Sequence, residues 1–309
     1  MGTPDFAVES LRALVEGGYN VVAVITMPDK PAGRGHKLQF SPVKQYALSV
    51  GLPVLQPEKL KDATFLEELR SYHADLQIVV AFRMLPEVVW AMPRLGTFNL
   101  HASLLPKYRG AAPVNWAVIN GEKETGATTF FIRHEIDTGD MILQRRIPIA
   151  DEEDAGSVHD RLMLMGAQMV CETVDLIAAG DVHPTPQPVL PEEEMLPAPK
   201  IFRETCILDF SKTALQVCNF VRGLSPYPGA WCTLEIGTEA EVIKVFSARP
   251  TAIQRDPATD VGKPVIDYLN RTILIACRDY YIQLYEMQRP GKKRMTVKDA
   301  LNGYHLNEA

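Results

Sequence analysis

The chain has 309 residues, with 32 Lys and Arg against 38 Asp and Glu for a net charge of -6, and 46% of its residues are hydrophobic. These values suit one large or two ordinary globular domains and exclude disordered and collagen-like classes. No uninterrupted apolar run approaches the roughly 20 residues that span a bilayer, and the start Met1-Gly2-Thr3-Pro4-Asp5 lacks the pattern of a secretory signal, so a cytoplasmic protein with no membrane partner is expected.

From Pro4 to Arg146 short apolar runs alternate with helical stretches, which predicts an α/β fold with a mostly parallel, Rossmann-like sheet and helices on both faces. The expected strands are 21–26, 76–82, 97–101, 128–133 and 141–149. The expected helices are 6–16, 42–50, 63–71, 86–91 and 111–120. A longer amphipathic stretch, 157–179, ends at Gly180, a helix stop, and reads as a packing helix. Between Asp181 and Lys200 six prolines and the triplet Glu192-Glu193-Glu194 suit a stiff, extended linker. Beyond it, a helix at 212–222 and β-rich runs at 230–234, 242–247, 272–277 and 281–287 predict a small barrel or sandwich. The expected division is therefore 1–180, a linker at 181–199, and 200–309. Cys171, Cys206, Cys218, Cys232 and Cys277 are odd in number and form no C-x-x-C pair, so buried free thiols are expected rather than disulfides or zinc ligands. Met1–Pro199 carries 17 basic and 26 acidic residues, net -9, which leaves 15 basic and 12 acidic, net +3, for Lys200–Ala309. That asymmetry permits a polyanionic partner at the C-terminal end, and ordinary scatter gives the same sums.

Three stretches contain candidate chemistry. In Thr97–His101, period-two alternation sends Phe98 and Leu100 to one face and Asn99 and His101 to the other, at the C-terminal strand edge where open parallel sheets bind ligands. Asn99 offers amide hydrogens to a developing oxyanion and His101 is an acid or base near neutrality, which together suit acyl transfer without a nucleophilic side chain. An isolated Asn-x-His is better read as a hydrogen-bonded core histidine. Arg133-His134-Glu135-Ile136-Asp137-Thr138-Gly139-Asp140 follows a second strand, and Asp137 on that turn is placed to orient His101. Asp-x-Gly is also a plain turn former, and His134 ranks behind His101. Finally, the Gly- and Pro-rich segment from Met27 to Lys37 brings Lys30, Arg34 and Lys37 to the end of strand 21–26 as an exposed loop suited to phosphates or to bulk water.

Together these stretches resemble the folate-dependent formyltransferases, and among them the methionyl-tRNA formyltransferases. Asn99-x-His101-x-Ser103-Leu104-Leu105-Pro106-x-x-Arg109-Gly110 is similar to their Asn-His signature, and Asp137-Thr138-Gly139 to the turn of their catalytic aspartate. The likeness runs from Gly2 to about Leu301. It implies a catalytic trio of Asn99, His101 and Asp137. It also implies a folate pocket lined by Phe82, Arg83, Met84, Leu85, Ser103, Leu104, Leu105 and Pro106, and tRNA contacts from Lys30, Arg34, Lys37, Lys292 and Lys293. The resemblance further implies an OB-like C-terminal domain that binds tRNA. The implied reaction moves formyl from 10-formyltetrahydrofolate to the α-amine of methionyl initiator tRNA, without a metal, in a monomer. Phe82-Arg83 departs from the aromatic-glycine pair of many relatives. In the family an apolar strand precedes Gly-Thr-Pro, so the natural chain is expected to begin upstream of Met1, and without that strand its neighbours would be left with unpaired backbone groups. Competing expectations are formyl transfer to an amino-sugar nucleotide, which has no use for the basic loop, a deformylating hydrolase, and a non-catalytic nucleic-acid-binding module.

Overall fold

A computed structural model describes residues 1–32, 37–236 and 239–302 of the chain. The chain folds into two compact units, the first comprising 1–110, 125–147 and 159–197, the second 111–124, 148–158 and 198–309.

In the first unit, helix α1 (Asp5–Glu16) follows the Gly2-Thr3-Pro4 entry and buries Phe6, Ala7, Val8, Ser10 and Leu14 along one face. Strand β1 (Val24–Ile25) precedes a short antiparallel hairpin, β2 (Lys30–Ala32) and β3 (Lys37–Gln39). Helix α2 (Pro42–Ser49) starts with proline at its first turn and is capped by Ser41, whose hydroxyl accepts from the Lys44 amide at 3.1 Å, satisfying one of the amides that a helix start leaves open. Strand β4 (Val54–Leu55) pairs in parallel with β1. Helix α3 (Ala63–Ser71), capped by Asp62, leads to β5 (Gln77–Val80), and the short α4 (Glu87–Trp90) leads to β6 (Thr97–His101). Strands β5 and β6 run parallel, with Val80 opposite Leu100. Helix α5 (Pro113–Ile119) belongs to the second unit; after it, strand β7 (Glu124–Phe131) runs antiparallel to β6, and β8 (Met141–Pro148) flanks β7 at the sheet edge.

Met1 and Gly2 join the two groups of strands: Gly2 N donates to Ile25 O at 3.0 Å, and Val80 N donates to Met1 O at 2.9 Å. The Met1 nitrogen donates to Ile78 O at 2.7 Å. Beyond it, between β1 and β5, lies a cavity of about 380 Å³ lined by Leu14, Val22, Ala23 and Ile78, among others.

Helix α6 (Ala155–Ala179) is, by length and composition alone, apolar enough to cross a membrane, although polar residues interrupt its apolar run. Val158, Leu162, Met169 and Val170 on it are fully buried, as in a core helix. A Cβ on Gly166 would meet Leu100 Cδ2 at 2.7 Å, so glycine lets α6 lie directly against β6.

The second unit has its own core. Helix α7 (Ala214–Gly223) begins with a capping box in which Thr213 and Gln216 satisfy each other's backbone amides. An antiparallel sheet of β9 (Ala230–Ile236), β10 (Glu239–Gln254), β11 (Pro264–Asp267), β12 (Thr272–Ala276) and β13 (Tyr280–Gln288) follows, ordered β11-β12-β13-β10-β9. Strand β14 (Met295–Thr296) pairs with β13 and leads into α8 (Val297–Leu301). Cys218, Cys232 and Cys277 pack in this core with Ile243, Ile275 and Leu284, and all five cysteines are free thiols.

Several segments differ from the expected pattern. The loop after β1 contains a hairpin, and the two-residue β4 lies close after a proline, too short to show alternation. Strands β11 and β14 and helix α8 are likewise too short for a periodic signal. Within the proline-rich segment Thr185 forms an antiparallel bridge with Met141, and Glu192–Glu194 is a 3-10 turn.

Candidate active site

The site lies at the C-terminal end of β6. Phe98 and Leu100 are buried on the face toward α6, and Asn99 and His101 share the opposite face, as strand alternation requires. His101 is buried, and its Nε2 lies 2.8 Å from the carbonyl oxygen of Tyr108. A carbonyl only accepts, so the neutral ring carries its proton on Nε2 and leaves Nδ1 as the basic nitrogen. Nδ1 faces Asp137 Oδ2 at 3.8 Å, and the same oxygen accepts from the Gly110 amide at 3.1 Å. Two loops far apart in sequence thus meet on the two edges of one imidazole.

Asp137 holds a left-handed backbone at φ 55, a conformation that aspartate tolerates better than most residues. The turn that carries it packs tightly on β7. A Cβ on Gly139 would lie 1.6 Å from the carbonyl oxygen of Phe131, which only glycine permits.

The Ser103–Pro106 loop is organised by Thr128 of β7. Its hydroxyl donates to Ser103 O at 2.7 Å and accepts from Leu105 N at 3.3 Å and Gln144 Nε2 at 3.0 Å. Gln144 also donates to Leu105 O at 3.1 Å, and Ser103 Oγ donates to Lys107 O at 2.7 Å. The Phe82–Leu85 segment leaves β5 at the same sheet edge, because β5 and β6 are parallel and in register. Leu85 is buried in a core cluster with Val79 and Val89, Phe82 packs on that cluster, and Met84 stands 71% exposed. Arg83 turns toward the loop after β4, donating to Glu58 O at 2.8 Å and to Pro57 O, while its Nε is buried without a partner among the described residues.

Comparison with known proteins matches residues 1–174 to the family model described as formyl transferase and residues 200–305 to formyl transferase, C-terminal domain. The chain belongs to the formyl transferase family. This formyl transferase is 59% identical over 311 residues to a methionyl-tRNA formyltransferase of Bacteroides fragilis, covering 100% of this chain and 95% of the relative. It is 51% identical to the protein of that name from Flavobacterium johnsoniae, covering 100% of this chain and 96% of the relative. Among solved structures, the sugar 3N-formyl transferase WlaRD, crystallised with dTDP and 5-N-formyl-THF, shares the fold at a TM-score of 0.64 and 18% identity, covering 94% of this chain and 97% of that one.

The remaining candidates of this formyl transferase lie apart from the His101 pair. His134 is exposed, 3.4 Å from Glu87 and edge-on to Trp90. Asp140 pairs with Arg133 at 2.5 Å. Lys30 begins the β2–β3 hairpin and is exposed, Lys37 lies on β3, and Arg34 falls outside the described residues. In the second unit Lys292 and Lys293 are exposed on the turn between β13 and β14. Among the described residues no group of three or more His, Cys, Asp or Glu is placed to hold a metal ion. Sequence reasoning missed Thr128, Gln144 and Gln187; their signal is three-dimensional, a polar side chain bonded to a segment distant in sequence, and no spacing rule shows it.

Proposed function

We propose that the chain transfers formyl from 10-formyltetrahydrofolate to the α-amine of methionyl initiator tRNA, in the cytoplasm and as a monomer. The observation that carries this is the match along the whole chain, at 59% identity, to a protein named methionyl-tRNA formyltransferase. The pairing of His101 with Asp137 at 3.8 Å supports the chemistry.

The folate supplies an activated formyl group. The exposed Met84 after β5 and the Ser103–Pro106 loop after β6 leave the sheet at the same edge, and that shared edge suits a flat heterocycle. The attacking group is the amine of the aminoacyl-tRNA itself. A free α-amine titrates near 7.7–8.0 and an adjacent ester lowers that, so much of it is neutral at working pH and little base assistance is needed. Asn99 donates its amide hydrogens to the formyl oxygen as negative charge builds there. His101 takes the proton that the amine sheds on Nδ1 and returns it to the departing N10 nitrogen, so that the new C–N bond forms and the old one breaks with no net proton change. Asp137 faces the transient imidazolium and fixes its orientation. Lys30, Arg34 and Lys37 in the first unit, and Lys292 and Lys293 in the second, contact tRNA phosphates, with residues 200–309 acting as the tRNA-binding domain.

The test is incubation with 10-formyltetrahydrofolate and methionyl initiator tRNA, with uncharged tRNA and amino-sugar nucleotides as controls. Formylmethionine on the tRNA is the expected result. Transfer to a sugar, or to no acceptor, refutes the proposal.

A further inference from the structure

Gln187 stands between Pro186 and Pro188 in the segment after α6, half-buried, and makes four hydrogen bonds. Its Nε2 donates to the carbonyl oxygens of Asp137 at 2.8 Å and Gly139 at 3.0 Å. Its Oε1 accepts from Arg109 Nε at 3.2 Å and from the terminal guanidinium nitrogen at 2.6 Å. The amide orientation is fixed by its partners, since arginine only donates and carbonyls only accept. The backbone on either side is anchored as well. Thr185 exchanges bonds of 2.8 and 2.9 Å with Met141, and Leu196 O accepts from Tyr108 N at 2.6 Å. The flanking prolines restrict the backbone between these anchors.

The residues held by this one amide are the carriers of both partners of His101. Asp137 faces Nδ1, and Tyr108, whose carbonyl oxygen faces Nε2, is the neighbour of Arg109. We propose that Gln187 is a positioning residue of the reaction: it fixes the spacing between the Asp137 turn and the Tyr108–Gly110 loop, and so holds the imidazole where proton transfer needs it. The inference rests on the formyl-transfer proposal above and extends it to a residue in the segment expected to be a stiff, extended linker.

Gln187→Glu keeps size and the acceptor for Arg109 but loses both donations and sets a carboxylate against two carbonyls. Gln187→Leu removes all four bonds. Displacement of a reacting group by about 1 Å costs on the order of 100-fold in rate. Turnover in both variants is therefore expected to fall by about that factor, with KM for folate and tRNA little changed and with a cooperative thermal melt showing that each variant is folded. Val189→Ala, at a side chain 98% exposed, is the control and stays at wild-type turnover. Added to His101→Ala, Gln187→Glu causes no further loss, because the group it positions is gone. Additive loss there, wild-type turnover in Gln187→Leu, or a loss confined to KM overturns the proposal. The ring-nitrogen NMR signals of His101 give a readout that needs no turnover. They are expected to shift or broaden in Gln187→Glu and not in Val189→Ala, and unchanged signals overturn the inference too. A wild-type protein that transfers no formyl refutes the function instead, which keeps the two failures distinct.

Discussion

Gly139→Ala tests how far the site depends on the seating of the Asp137 turn. The added Cβ would fall 1.6 Å from Phe131 O, and real Cβ contacts essentially never come under 3.0 Å, so turn and strand must part by at least about 1.4 Å. Neither side yields easily, because Phe131 N also ties down the end of the turn, donating to Asp140 O at 3.1 Å. Overpacking of this kind costs about 1–3 kcal/mol. That cost lowers the melting temperature by roughly 2–4 °C per kcal/mol. The larger effect is expected on rate. A displacement above 1 Å removes Asp137 Oδ2 from the Gly110 amide, now 3.1 Å away, and from His101, and turnover falls by at least on the order of 100-fold. Formyl-transfer kinetics and thermal melts on the same preparations check both numbers. A folded Gly139→Ala protein with wild-type turnover would show that the turn has no part in catalysis.

Asn99→Ala should lower turnover about 100- to 1000-fold with folate affinity largely kept, as for other lost oxyanion donors, and single-turnover assays measure it. Thr128→Val leaves Leu105 N, Gln144 Nε2 and Ser103 O each short of a bond, at about 1–3 kcal/mol for each one that stays unsatisfied; a melt and a folate titration should both register it. Burial pushes the Cys218, Cys232 and Cys277 thiols up to about 12, and the thiolate is the reactive form, so at pH 8 a maleimide should label Cys171 well before those three, read by mass spectrometry. Lys292→Ala should weaken tRNA binding and reduce the slope of log K against log salt by nearly one unit, while formyl transfer at saturating tRNA is retained.

Long periodic elements were legible from sequence. The strand at Thr97–His101 and the helix at Ala63–Ser71 fall on the expected residues, because alternation and capping are local signals. The facing of Asn99 and His101 followed from the same alternation, and the nearness of Asp137 from the rule that parallel sheets collect ligand groups at one edge. Other features depend on long-range contact. The Arg83 guanidinium reaches back to the backbone at Pro57 and Glu58, some 25 residues earlier in the chain. Gln187 looked like one polar residue in a run of prolines, and its partners lie 48 to 78 positions away. Proline density indicates stiffness in a segment and leaves open what that segment rests against.

The two compact units are not consecutive in sequence. The chain enters the second unit at Ala111, returns at Thr125, leaves again at Pro148 and returns at His159 before its final passage near Ala198. Helix α5 belongs to the second unit through α7: Asn115 Nδ2 donates to Gly223 O at 2.7 Å, and a Cβ on Gly223 would strike Ile119. A protein engineer who cut at the proline-rich segment to graft on a new acceptor-binding tail would leave α5 stranded, its contact face for α7 open to solvent. A workable chimera must exchange residues 111–124 and 148–158 together with the tail, so recombination in this fold has to respect five seams rather than one.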